Sequence, residues 1–388
     1  MKGRGTMKFV LAPDSFKESM TAKEVCQAMA KGIKRVLPEA TIIENPMADG
    51  GEGTLDALVD ATDGKKYALE VVGPLHKSVT AYYGILGDKK TAVIEVAQAS
   101  GLTYVPENMR TPKTLKDATT YGTGQLINEA IKHGATQIIL GLGGSGTNDG
   151  GSGMAQALGV KFLDKTNQVI TKKLGGGDLG KIADIDISEL PEKLLQTKFL
   201  IASDVKAPLT GSNGASLVFG PQKGADHKTV LELDQNLAHF AHVIKKTLGK
   251  DIENISGSGA AGGIGGGLLA FTDATIYPGV QLIADQTKLE EKIKDADFVF
   301  TGEGSIDQQT EFGKTPFGVA QIAQKHGVPT IAMAGYVGND IEGLYEKGFS
   351  AIFGILDKAE SLEQALKDGP ENITRTTENI IRLLNVRK

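Results

Sequence analysis

The chain has 388 residues, 40% of them hydrophobic and 23% charged, an ordinary composition for a globular protein. That length exceeds the roughly 250–300 residues at which one core stops growing, so two domains are expected. A net charge of −5 excludes the broad basic surface that nucleic acid or an anionic membrane would require. No apolar run approaches the roughly 20 residues of a membrane span, and the N-terminus lacks a secretory apolar segment, so a cytoplasmic protein is expected. The single cysteine, Cys26, lies in an apolar helical pattern and reads as core.

Residues 1–6 read as an unstructured extension. Residues 9–12 predict a short buried strand ending in a Pro-Asp-Ser turn. Thr21 and Glu24 have the capping-box spacing, and Ala22, Val25, Met29 and Ile33 step along one helical face. A strand over 41–47, a Gly-rich turn and a helix over 54–62 repeat the strand-turn-helix rhythm of a parallel sheet. Residues 66–97 differ, with three strand patterns joined by short turns, which predicts an antiparallel meander. A helical pattern over 114–132, a strand over 137–140, a Gly-rich loop over 141–153 and a strand over 199–203 follow. The Gly/Ala-rich stretch 254–270 lacks charge, which argues for burial. From about 296 the first rhythm returns, with a helix over 316–326 and a final amphipathic helix through Leu384. The expectation is an α/β fold with a parallel-sheet domain (1–82 plus 280–388) interrupted by an inserted mixed-sheet α/β domain (83–279).

Five Gly- and acid-rich loops fall at strand ends: "APDSFKES" (12–19), "MADGGEGT" (47–54), "GLGGSGTNDGGSG" (141–153), "ASDVKAPLTGSNG" (202–214) and "TGEGSIDQQTEFGKTP" (301–316). Ligands of α/β sheets bind at the carboxyl ends of the strands, where these loops lie. Gly141-x-Gly143-x-x-Gly146 matches a dinucleotide fingerprint, with Asp164 after the next short strand. A carboxylate such as Asp149 beside a pyrophosphate would be repulsive, however, unless Mg²⁺ stands between them. With Asp14, Asp49, Glu52, Asp149, Asp204, Glu303 and Asp307 all in such loops, metal-assisted phosphoryl transfer is the better reading. A nicotinamide-dependent oxidoreductase and a non-catalytic sugar-acid sensor are the alternatives. The six histidines show no metal spacing except His239/His242, which reads as a solvated pair.

At these loops the sequence resembles the glycerate kinase family of bacteria. The resemblance rests on "APDSFK", "PMADGGEGT", "GLGGSGTNDGGSGMAQALG", "SDV…PLTGSNGA…FGPQKGA", "GAAGGIGGGLLAF" and "TGEGSIDQQTEFGKTP", in family order over nearly the whole chain. It departs from the family pattern at Glu18, where glycine is usual, and at Ser203, Lys206 and Ser305, without removing a loop carboxylate. The resemblance implies an ATP-dependent kinase acting on D-glycerate, with one flavodoxin-like domain and the active site in the cleft between the domains. It implies 2-phosphoglycerate as product, with 3-phosphoglycerate the alternative.

Charge and loop position then suggest roles. Gly143, Gly144, Ser145, Thr147, Asn148 and Asp149 are the candidate nucleotide loop. Glu303 and Asp307 are the candidate Mg²⁺ holders, and Lys17 and Lys314 the cations for the transferring phosphate. Asp49 or Asp204 would orient the attacking hydroxyl. Asp14, Ser15 and Glu52 are candidate substrate contacts. Of the six arginines, Arg110 alone sits in a loop beside a Gly/Thr-rich turn, and it is the candidate clamp for the glycerate carboxylate. The expected partners are small molecules, glycerate and ATP; self-association into a homo-oligomer is left open.

Overall fold

The computed structural model describes residues 6–386, so the expected N-terminal extension lies outside the described residues except for Thr6. In chain order the strands are β1 (Lys8–Leu11), β2 (Thr41–Glu44), β3 (Lys65–Val72), β4 (Ser78–Ile85), β5 (Thr91–Glu95), β6 (Gln137–Gly141), β7 (Lys161–Leu163), β8 (Asp184–Asp186), β9 (Lys198–Ala202), β10 (Ala274–Tyr277), β11 (Phe298–Ile306), β12 (Thr330–Val337) and β13 (Phe349–Gly354). The chain divides into two compact units. The first comprises the chain up to Asp49, Asp56–Thr62 and the chain from Pro278 onward; the second comprises Gly50–Leu55 and Asp63–Tyr277.

In the first unit β1 pairs in parallel with both β2 and β11, β11 with β12, and β12 with β13. The order β13-β12-β11-β1-β2 is the flavodoxin-like order, and its direction reverses between β1 and β11. Phe9, Val10 and Leu11 of β1 are fully buried, as a parallel strand covered on both faces requires. Successive residues of β12 serve the two faces. Ile331 and Met333 join a core with Val25, Met29 and Ile33 of helix Ala22–Val36 and with Ile373 and Ile380 of helix Leu362–Asn385. Ala332 and Ala334 instead pack with Ala320 of helix Thr315–Lys325 and with Leu344. The capping box at Thr21 and Glu24 forms as its spacing predicts, and Cys26 is buried.

The second unit holds a six-stranded sheet in the order β10-β9-β6-β5-β4-β3. Its first four strands are parallel, and β4 and β3 continue them antiparallel, so the expected meander is present. That pairing explains why the unit boundary falls at Thr62/Asp63 and not at 82/83. The strands β3 and β4 complete their hydrogen bonds on β5, and residues 63–82 go with them. The far boundary lies at Tyr277/Pro278. The pattern over 114–132 resolves into two helices, Pro112–Asp117 and Tyr121–Lys132, separated by an extended Ala118. Among the described residues, no helix is long and apolar enough to cross a membrane.

The Gly/Ala-rich stretch forms the buried helix Ala260–Phe271, which opens on a left-handed turn at Ala261, Gly262 and Gly263 with φ of 56°, 70° and 92°. A Cβ at Gly262 would stand 2.0 Å from the carbonyl oxygen of Thr147. Glycine is needed there both for its backbone and for the close approach to the 141–153 loop.

Candidate active site

Each unit gathers some of the loop residues. In the first unit, Ala12 N donates to Phe300 O at 2.7 Å and Asp14 N to Gly302 O at 2.9 Å. These bonds extend the β1–β11 pairing beyond Leu11 and set Asp14 alongside β11, where the strand order reverses. Ligands of open α/β sheets bind at that position. One Asp14 oxygen accepts from Thr315 Oγ1 at 2.5 Å, and the other from Ser15 N at 2.6 Å and Ser15 Oγ at 3.2 Å. Asp14 therefore ties the loop after β1 to the start of helix Thr315–Lys325. Burial pushes its pKa up to about 6, and the charge of Asp49 adds to the shift, against the hydrogen bonds from Thr315 and Ser15.

Glu303, near the end of β11, has a side chain only 16% exposed, and its Oε1 accepts no hydrogen bond. The Lys314 ammonium stands 3.5 Å from that oxygen and 3.7 Å from Asp307, and donates to Ser305 O at 3.2 Å. Burial pushes the Glu303 pKa up to about 7; Lys314 pulls it down, while Asp14 and Asp49 raise it. Asp307 accepts from Gln309 N at 2.8 Å and caps a short 3-10 turn, Gln308–Phe312. The structure thus brings Glu303, Asp307 and Lys314 together and places Asp14 and Asp49 within electrostatic reach. Ser15 serves Asp14, and Lys17 is exposed in the following turn. Among the described residues, no three of His, Cys, Asp or Glu are grouped as around a metal ion. The donor chemistry still fits a cation, since one lysine faces several carboxylates and a buried oxygen of Glu303 accepts no hydrogen bond.

In the second unit the 141–153 loop runs from β6 into helix Ser152–Leu158. Asp149 is fully buried. It accepts from Thr120 N at 2.9 Å, Thr120 Oγ1 at 2.7 Å, Gly151 N at 3.1 Å and Gly153 N at 3.2 Å. Its carboxylate braces the loop from inside and offers nothing outward. Thr147 and Asn148 are also fully buried, whereas Gly144 is exposed and Gly143 half-buried. The backbone N–H groups of Gly143, Gly144 and Ser145 make no hydrogen bond among the described residues, which leaves successive donors of the kind that receive phosphate. Arg110 is half-buried; its Nε donates to Val105 O at 3.1 Å, and its terminal nitrogens make no hydrogen bond among the described residues. Glu52 and Asp204 are exposed in their loops.

A model of the glycerate kinase family matches residues 9–385. The chain belongs to the glycerate kinase family. It is 51% identical to a glycerate kinase of Halalkalibacterium halodurans, over 96% of each chain. It is 46% identical to a glycerate 2-kinase of Escherichia coli K12, over 98% of each. A crystal structure assigned as glycerate kinase 2 of Salmonella typhimurium LT2 superposes with a TM-score of 0.89 at 45% identity, covering 99% of both chains.

Family membership agrees with what the structure does to the dinucleotide fingerprint. After helix Ser152–Leu158 the next strand does not enter the six-stranded sheet, because β7 pairs with β8 in a separate ribbon, and the chain rejoins the sheet only at β9. Asp164, the would-be ribose ligand, folds back on its own turn through Thr166 N, Thr166 Oγ1 and Gln168 N. His239, read as solvated, bonds to Ile182 O at 2.7 Å.

Sequence reasoning passed over three residues that shape the clusters. Thr315 and Thr120 are the hydroxyl partners of Asp14 and Asp149, and no spacing rule links residues 301 and 29 positions apart. The third is Lys223, whose Nζ donates to Ser145 Oγ at 2.9 Å and Thr147 O at 2.8 Å from a residue 4% exposed. A charged residue between Pro221 and Gly224, inside the "FGPQKGA" motif, was the available signal.

Proposed function

We propose that this protein transfers the γ-phosphoryl group of ATP to D-glycerate in the presence of Mg²⁺ and releases 2-phosphoglycerate. The observation that carries the position is the 46% identity, over nearly all of both chains, to the Escherichia coli protein named glycerate 2-kinase. The two glycerate hydroxyls are adjacent, so residue chemistry alone does not choose between them.

Phosphoryl transfer is mostly positioning and charge stabilisation. In this reading the unbonded N–H groups of Gly143, Gly144 and Ser145 receive phosphate oxygens, and Thr147, Asn148 and Asp149 hold that segment in shape. Lys314 offers its ammonium to the transferring group. Glu303 and Asp307 are the residues that would hold Mg²⁺, which when bound neutralises phosphate oxygens. Asp49, whose charge bears on both Asp14 and Glu303, orients the attacking hydroxyl, with Asp204 the second candidate. Arg110 takes the glycerate carboxylate through its terminal nitrogens.

Phosphorus NMR of the product made from ATP, Mg²⁺ and D-glycerate tests this reading. A 2-phosphoglycerate resonance is expected. A 3-phosphoglycerate resonance would reverse the regiochemistry, and ATP binding without any product would point to a sensor.

A further inference from the structure

Lys223 is a cation where a cation is expensive. Its side chain comes from the short turn Pro221–Lys223 and ends beneath the 141–153 loop. Burying an ammonium costs several kcal/mol unless its protons find acceptors, and an apolar residue of the same volume avoids that cost. Here desolvation lowers the Lys223 pKa to about 8, while Asp149 favours the charged form. The charge is retained against a clear penalty, so what it touches matters.

It touches the receiving segment of the loop. One nitrogen holds both the Ser145 hydroxyl and the Thr147 carbonyl. On its other side the same segment is pinned by Gly146 N to Ser100 O at 2.8 Å and Leu102 N to Gly144 O at 2.9 Å. Between these two sets of ties lie the unbonded N–H groups of Gly143, Gly144 and Ser145. The turn carrying Lys223 is itself held in place. Gly224, with φ of 102°, lies so close to Arg110 that a Cβ there would stand 2.3 Å from the Arg110 carbonyl carbon. The loop and the proposed carboxylate clamp are therefore braced by neighbouring residues of one turn.

We propose that Lys223 is a positioning residue for nucleotide binding: it cross-ties Ser145 and Thr147 so that the Gly143–Ser145 donors keep the shape that receives phosphate. This rests on the reading of the loop as the nucleotide site. Lys223 acts through Ser145 and Thr147, and its charge adds a favourable field to the same segment.

The test is Lys223→Met, which keeps the volume and removes the ammonium. An apolar isostere relieves the desolvation penalty, while the Thr147 carbonyl loses its donor, so a melting curve accompanies the binding measurements. ADP affinity by calorimetry and the Michaelis constant for ATP should each worsen about tenfold or more, with the Michaelis constant for glycerate changed less than about twofold. Ser145→Ala removes one tie and leaves the cation in place, so it should shift the nucleotide constants in the same direction by a smaller factor. It carries the test if Lys223→Met does not fold. Unchanged ADP affinity and unchanged Michaelis constants in both variants would overturn the positioning role and leave the loop reading standing. A rise confined to glycerate would overturn the loop reading itself.

Discussion

Asp149 and Glu303 are both carboxylates close to the carboxyl end of a buried parallel strand, in segments rich in glycine. Asp149 accepts four hydrogen bonds, whereas Oε1 of Glu303 accepts none and meets only an ammonium at 3.5 Å. The first carboxylate is a finished part of the fold. The second is left with capacity that the chain itself does not fill. A buried polar group without partners is destabilising, so its persistence marks a place where something other than folding sets the residue. Acid content alone therefore does not locate chemistry; the partners of each carboxylate distinguish the two.

The largest effect should come from breaking the finished side. Asp149→Ala leaves the buried N–H groups of Thr120, Gly151 and Gly153 without an acceptor, and should cost about 3 kcal/mol or more of stability. A clear drop in the thermal midpoint checks this; an unchanged midpoint would put Asp149 on the same footing as Glu303. On the other side, Glu303→Gln should lower kcat by at least about two orders of magnitude, equal to roughly 2.7 kcal/mol of barrier, with the thermal midpoint at or above the parent value. Steady-state rates at saturating Mg²⁺ and a melting curve decide it together.

A pH profile sharpens the contrast. Glu303 at about 7 and Asp14 at about 6 both lie above their unfolded values of 4.5 and 3.8. Between about pH 4 and 7 the folded chain holds protons that the unfolded chain has released, so this cluster's contribution to stability falls as pH rises through that window. With chelator present, Glu303→Gln should match the parent near pH 4 and exceed it by about 2 kcal/mol near pH 8. Parallel stability profiles for the two proteins would mean that Glu303 carries no such penalty.

Much of this fold was legible in the residues. The parallel-sheet half follows from buried strands alternating with capped amphipathic helices, its flavodoxin-like character from the family resemblance, and the meander from its three short strand patterns joined by tight turns. The boundary near residue 82 was not legible, because a strand's pattern shows that it pairs but not with which sheet, and β3 and β4 find their partner in β5. The site was half legible. Composition marked the acidic loops as a group, yet Asp149 and Glu303 look alike as letters. Their difference comes from Thr120 and Lys314, brought in by tertiary packing. Glu18 shows the opposite case. It adopts φ of 65° where the family resemblance has glycine, so a backbone requirement showed through the family pattern while the residue itself hid it.

The smallest effect concerns Arg110. Arg110→Ala should raise the Michaelis constant for glycerate about tenfold, some 1.4 kcal/mol, and that for ATP little, because the lost contact is to one substrate. The backbone role of Arg110 beside Gly224 is untouched by the substitution. If both constants rose together, the guanidinium would be supporting the Lys223 turn and not the substrate.

Metal binding reads the contrast between the two carboxylates most directly. Mn²⁺ binding to the parent, Glu303→Gln and Asp149→Asn proteins can be followed by electron paramagnetic resonance, with a melting curve for each. Glu303→Gln should weaken Mn²⁺ binding about tenfold or more without loss of thermal stability, and Asp149→Asn should lower stability while Mn²⁺ binding is kept. Normal Mn²⁺ binding by Glu303→Gln, or its loss in a folded Asp149→Asn, would contradict that expectation.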